Sequence, residues 1–409
     1  MPSESSPSIA PRRSLFASIA ALLGVARGPA GRADPRRYNL VLAAVVLPPV
    51  LVMLILALTQ EPLRGDLTRP GGYAEADYGW RQPQERFSPP LASSRYDRPY
   101  DIVILGDSFS ANVGGQTDPG AFWSNYLAQR TGLSVAVLAL DPPDMTPERL
   151  LHHPVFVRSP PKLLILETVE RYLLRDYAIE IDARVGRIEQ SCRPQSRRLP
   201  PFPAFAPLDV APVPWERDTV PEINIDQAAN YFWKAAKRNL LGIDTTRILR
   251  LDLTRADLFS SRESNRLLIY DDEIRKALFT TPQTVDAMYC TLLDIQNEVQ
   301  ANGRTRFLFM AAPDKMTTYA EHLADPELRA ISLLPGLYGR PSLNQVRLLD
   351  RFREAIRCGV KDLYMPNDTH WGSAAHRIIA DAVVDTLTET ESGPPAGCPR
   401  DPRGAAAAR

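Results

Sequence analysis

The chain has 409 residues, enough for one sizeable domain with an insertion, or two small ones, once an N-terminal anchor is set aside. Lysine plus arginine and aspartate plus glutamate each total 48, so the formal net charge is zero, and aromatic and basic residues form no interleaved patch. A nucleic-acid or other polyanion partner therefore has no support in the composition. The four cysteines, Cys192, Cys290, Cys358 and Cys398, are far apart, with no CxxC pair and no histidine at ligand spacing. Neither a metal nor another cofactor is expected; the even count fits one or two disulfides as well as four buried thiols, and the pairing is not legible.

From the N-terminus, residues 1–37 read as a cytoplasmic tail. Within it the apolar stretch Ser14 to Ala26, behind Arg12 and Arg13, offers the alternative of a signal h-region, although it is short for a span. Leu40 to Leu58 is uncharged and just long enough to cross a hydrocarbon core of roughly 30 Å, so residues 38–59 are expected to be a signal anchor. Arg27, Arg32, Arg36 and Arg37 precede it, which predicts a cytoplasmic N-terminus and a C-terminal domain on the periplasmic or extracellular side of the inner membrane. Residues 60–99, rich in Pro, Gly, Arg and Asp, read as a linker or packing arm.

A domain over 100–390 follows. Asp101–Leu105, Leu133–Leu140, Lys162–Glu167 and Arg306–Ala311 are short apolar runs that predict strands, with Val360–Tyr364 as a weaker fifth. Helical spacing is seen over Pro119–Arg130, Asp226–Asn239, Thr284–Gln300, Leu343–Arg357 and Ser373–Leu387. Fully apolar strands alternating with helices predict an α/β fold with a central, mostly parallel sheet covered on both faces, the site lying at the carboxyl ends of the strands. Proline-rich residues 176–265 read as an insertion, either a wall of the substrate cleft or a surface excursion. Residues 391–409 read as a disordered tail.

Two segments carry chemistry. Gly106-Asp107-Ser108-Phe109-Ser110 follows the first strand, where a serine side chain can project into an open crevice. A serine hydroxyl needs a general base, itself oriented by a carboxylate. Asn367-Asp368-Thr369-His370-Trp371 supplies both, because Asp and His two positions apart in a loop can face the same crevice. His152, His153, His322 and His376 sit in turns or helices and read as structural.

With these blocks in view, the chain resembles the SGNH (GDSL-type) hydrolase superfamily, a three-layer α/β/α sandwich. The Asp-Thr-His-Trp spelling is similar to the branch containing alginate O-acetyltransferase and related cell-surface polysaccharide acetyltransferase proteins. Glu167-Thr168-Val169-Glu170-Arg171-Tyr172 and Pro313-Asp314-Lys315 with Tyr319 resemble internal blocks of that branch. The resemblance implies Ser108 as nucleophile, His370 as general base and Asp368 as its orienting acid. It also implies Arg171, Asp107, Lys315 and Tyr319 as oxyanion or substrate-binding residues, although Asp107 reads better as a brace for the nucleophile loop. The sequence departs from the family in lacking a GxND block and in having no glycine in Leu140–Asp144, leaving the Ser108 N–H and Arg171 as oxyanion candidates. Its serine also precedes the Asp-His pair, the reverse of the alginate proteins.

The activity implied is acetyl transfer through a serine acyl-enzyme to hydroxyls of an exported polysaccharide, the acetyl group arriving from a membrane O-acyltransferase partner. The same triad using water would make a carbohydrate or lipid esterase. A non-catalytic envelope protein that binds polysaccharide or tethers an assembly partner is the third reading.

Overall fold

In a computed structural model of the protein, residues 35–59, 65–113, 118–141, 144–215, 225–244 and 246–388 are described. The expected tail up to residue 34, the Ser14–Ala26 segment, Cys398 and the tail from 391 lie outside them. By packing, the chain forms two units, Met1–Pro62 with Val220–Trp233 and Leu63–Thr219 with Lys234–Arg409.

The helices of nine or more residues are α1 Pro35–Thr59, α2 Trp123–Thr131, α3 Ile225–Leu241, α4 Pro282–Gln300, α5 Leu348–Arg357 and α6 Ser373–Thr388. The strands are β1 Gln84–Arg86, β2 Ile102–Gly106, β3 Val135–Ala139, β4 Leu163–Val169, β5 Val213–Trp215, β6 Ile248–Asp252, β7 Arg266–Tyr270, β8 Arg306–Ala312 and β9 Gln345–Val346.

In the first unit, α1 is apolar around its whole circumference, with a mean hydropathy of 2.3 over Tyr38–Ile55. Leu40, Leu47, Val50 and Leu51 are all exposed, a surface that water disfavours. The helix is long and apolar enough to cross a bilayer, even with Pro48 and Pro49 inside it.

The second unit is built on a five-stranded sheet, all parallel, in the order β3-β2-β4-β8-β9. Ile102-Val103-Ile104-Leu105 is buried throughout, as a central parallel strand requires. Alternation then divides the side chains. Ile102, Ile104, Leu163, Ile165, Leu308 and Met310 join α2, α5 and α6 on one face. Val103, Leu105, Leu164, Leu166, Phe307 and Phe309 join α4 and the turns at 147–158 and 170–179 on the other.

Two elements differ from expectation. Val360–Tyr364 is not a strand, because Asp362 takes a left-handed φ of 52° after Gly359 at 80°, which breaks the extended run. Only an isolated bridge joins Tyr364 to Trp371, and the fifth strand is β9. The insertion contributes β5, which pairs with β1, and β6, which pairs antiparallel with β7 just beyond it to form a hairpin. The irregular residues before β5 are strapped to α4. Asp294 accepts hydrogen bonds from the Ser191 and Cys192 amides at 2.8 and 3.0 Å, and a disulfide joins Cys192 to Cys290.

The topology locates the site. From β2 the chain goes to β3 on one side, then returns to β4 on the other side of β2. In a doubly wound sheet that reversal opens a crevice at the carboxyl ends of the strands. Ser108 stands two residues beyond β2.

Candidate active site

The nucleophile loop is braced from below. Asp107 Oδ1 accepts from the Phe109 N–H at 2.9 Å and Oδ2 from the Val169 N–H at 2.8 Å, tying the loop to the end of β4. Underneath lies Glu167, wholly buried, whose Oε2 accepts from the Asp107 N–H at 3.1 Å and from Ser110 Oγ at 2.8 Å. Ser110 in turn accepts from the Trp123 indole at 3.0 Å. Burial and then the neighbouring Asp107 charge push the Glu167 carboxyl well above its usual range. Gly106 makes the approach possible, since a Cβ would come within 2.6 Å of Glu167 Oε2.

The base loop arrives from the other end of the chain. His370 Nε2 lies 2.9 Å from Ser108 Oγ, and His370 Nδ1 lies 2.7 Å from Asp368 Oδ1. With Asp368 charged, Nδ1 carries the proton it donates, and Nε2 is free to accept from the serine hydroxyl. Burial opposes a charged imidazole, but the Asp368 carboxylate outweighs it and holds His370 at about 8. Burial likewise works against a charged Asp368, and the His370 charge and hydrogen bonds overcome it, keeping Asp368 well below the usual carboxylate range. Phe109 packs against the imidazole with ring centroids 4.9 Å apart.

Three backbone carbonyls of this loop converge on one ammonium. Lys315 Nζ donates to the carbonyls of Met365, Pro366 and Asp368 at 2.8, 3.0 and 2.9 Å. At the far end, Ser373 N–H donates to Gln84 Oε1 at 2.7 Å and Ser373 Oγ accepts from Glu85 N–H at 2.7 Å, so β1 pins the start of α6 immediately after the triad.

Of the residues expected to bind substrate or oxyanion, Lys315 and Tyr319 are corrected to internal roles. Both are fully buried; Lys315 holds the base loop, and the Tyr319 hydroxyl accepts from the Tyr364 N–H at 3.4 Å. Asp107 is a brace whose carboxylate oxygens accept backbone hydrogen bonds, leaving it no part as an oxyanion donor. Arg171 Nη1 donates to Asp314 Oδ1 at 2.9 Å, and its guanidinium stands 5.7 Å from the Phe109 ring centre. Asp314 and Glu170 both also bind Lys276, at 2.7 and 3.1 Å, in a buried ion cluster. Arg171 thus makes no hydrogen bond to Ser108 or His370; its charge still favours ionised Asp107 and disfavours protonated His370. The Ser108 N–H makes no hydrogen bond among the described residues and remains the oxyanion donor candidate.

A small cleft opens beside Ser108 and His370. Its walls are mostly apolar, with Phe109, Phe122, Trp215, Met365 and Trp371, and Gln84 and His376 supply polar groups. Burial pulls His376 down to about 3, so it lines the cleft as a neutral imidazole.

Residues 65–78 are absent from any sequence motif yet wrap the base loop. Leu67 and Thr68 N–H both donate to the Asn367 carbonyl, at 3.2 and 3.3 Å, and Asn367 Nδ2 donates to Glu75 Oε2 at 2.8 Å. Asp66 stands beside Asp368 and His370. Nothing in its sequence context marks it; only the glycine before it, where a Cβ would lie 2.0 Å from the Asn367 carbonyl oxygen, hints at close packing.

No protein-family model, curated protein or solved structure matches the chain.

Proposed function

We propose that the protein is a serine acyl-transfer enzyme of the SGNH type, a three-layer sandwich that moves an acetyl group to hydroxyls of an exported polysaccharide. The observation that carries this reading is the unbroken Ser108–His370–Asp368 hydrogen-bond chain, at 2.9 and 2.7 Å, at the reversal point of a parallel sheet and beside a small apolar cleft. The helices covering both faces of the sheet support the sandwich.

In the first half-reaction Ser108 Oγ bonds to the acyl carbon while its proton passes to His370 Nε2, and the carbonyl π electrons move onto oxygen. The Ser108 N–H is positioned as an oxyanion donor. Collapse re-forms the carbonyl and expels the donor's leaving group, which takes the proton from Nε2. In the second half an acceptor hydroxyl gives its proton to Nε2 and attacks the acyl carbon; collapse releases Ser108 Oγ, which takes the proton back. A domain anchored outside the cytoplasm has no supply of activated acetyl groups, so a membrane O-acyltransferase is the expected donor partner. Water as acceptor makes the same machinery an esterase, a reading favoured by the 22% exposure of the His370 side chain.

The test uses a chromogenic acetyl ester and a fluorophosphonate probe. Wild-type protein is expected to release the chromophore, faster with an oligosaccharide acceptor present, and to be labelled at Ser108. Ser108→Ala is expected to lose both activities with its unfolding midpoint unchanged; full activity in that variant refutes the assignment. Hydrolysis indifferent to every acceptor favours the esterase.

A further inference from the structure

Asp66 stands at the triad without a part in the mechanism above. Its Oδ1 accepts from the Thr369 N–H at 2.7 Å, and its own N–H donates to Asp368 Oδ2 at 3.2 Å. Its Oδ2 lies 3.7 Å from His370 Nδ1. The Asp66 carbonyl accepts from the Tyr270 hydroxyl at 2.9 Å, which fixes the segment to β7. It therefore grips Asp368 and Thr369, the two residues immediately before His370, from a segment about 300 positions away in sequence.

We propose that Asp66 is a positioning residue of the triad: its carboxyl clamps the Asp368–His370 loop and holds the Asp368 carboxylate on His370 Nδ1. The kinetic consequence rests on the acyl-transfer reading; the electrostatic one does not. The groups facing Asp66 are Asp368 and His370 from the base loop, Tyr270 from β7, and Lys315, with Arg171 acting on His370 from beyond Phe109. Burial and then the Asp368 charge push Asp66 up to about 7. Below that pH Asp66 is neutral and donates to Asp368; above it, a second negative charge beside the imidazole holds the proton on His370.

The experiment follows the histidine directly, in full-length protein in detergent micelles, carbon-13 labelled at histidine and assigned with His370→Gln. Asp66→Asn keeps the shape and an N–H donor but cannot ionise. It is expected to move the His370 titration to lower pH, in wild-type and in Ser108→Ala backgrounds alike, and to move the rising limb of kcat/KM in the same direction. Asp66→Ala, which loses the clamp, is expected to lower kcat roughly tenfold with little change in KM. An unchanged His370 titration in Asp66→Asn overturns the proposal. So does a wild-type titration that shifts on adding EDTA, because the Asp66, Asp368 and His370 ligand atoms lie within 4.8 Å of one another and a bound cation would then explain the cluster. A shifted titration in a protein without acyl-transfer activity sinks the proposed function and leaves the positioning role standing.

Discussion

In the proposed reaction His370 sets the pH dependence of the site. Burial alone would favour the neutral ring, yet Asp368 holds the imidazole at about 8, above the 6.5 of an exposed histidine. As the proposed general base the ring must be neutral at Nε2, so kcat/KM is expected to rise with pH and level off above about 8; a limb centred at or below 6.5 would contradict the Asp368 contact. The linkage to stability has the opposite sense. A raised folded-state value means that the contribution of His370 is full below 6.5 and lost as pH rises through about 8. Ser108, Asp368 and His370 were legible in the sequence because each lies in a short loop next to a strand or helix end, with spacing that lets two side chains share a crevice. Lys315 and Tyr319 were legible as residues of interest but not in their direction. After a strand, one position decides whether a side chain enters the crevice or the core, and both point inward. Asp66, Gln84 and Trp215 gave no such signal, since each reaches the site through tertiary packing alone.

At the scale of elements, the strands that could be read were the continuous apolar ones, β2, β3, β4 and β8, where burial on both faces leaves no alternation to misjudge. The edge strand β9 has two residues and β1 and β5 three each, too short for any period to show. The β6–β7 hairpin, Ile-Leu-Arg-Leu-Asp against Arg-Leu-Leu-Ile-Tyr, was masked by its arginines and by the prolines upstream. Its neighbour in the insertion, the strap over residues 191–195, carries no secondary structure and depends on Asp294, Asn297 and the Cys192–Cys290 disulfide to stay on α4. That bond closes a sequence separation of 98 residues, for which the chain-entropy model gives several kcal/mol. Replacing both cysteines by serine is expected to lower unfolding stability by about 2–5 kcal/mol, measured by chemical denaturation of the purified protein. Initial rates on an acetyl ester should change little, because the nucleophile and base loops are braced by Asp107, Glu167 and Lys315, none of which touches the strap. Loss of activity in proportion to stability would instead make the strap part of the site.

The whole molecule joins a helix fit to cross a bilayer to a domain whose candidate chemistry needs a hydroxyl acceptor. The arginines before the apolar stretch Leu40–Leu58, namely Arg27, Arg32, Arg36 and Arg37, against the mixed charges Glu61, Arg64 and Asp66 after it, predict that the N-terminus stays in the cytoplasm and the domain lies across the membrane. The disulfide agrees with that side, since such bonds persist in oxidising compartments. Tags at the two ends decide it. In spheroplasts treated with an impermeant protease, the C-terminal tag is expected to be lost and the N-terminal tag kept. The reverse pattern would mean that Ser14–Ala26 is translocated first and α1 stops transfer, leaving the domain in the cytoplasm. Cys192 and Cys290 would then face a reducing pool, and the acyl donor would be a soluble thioester in place of a membrane partner. Topology thus selects between two donor chemistries for the same triad.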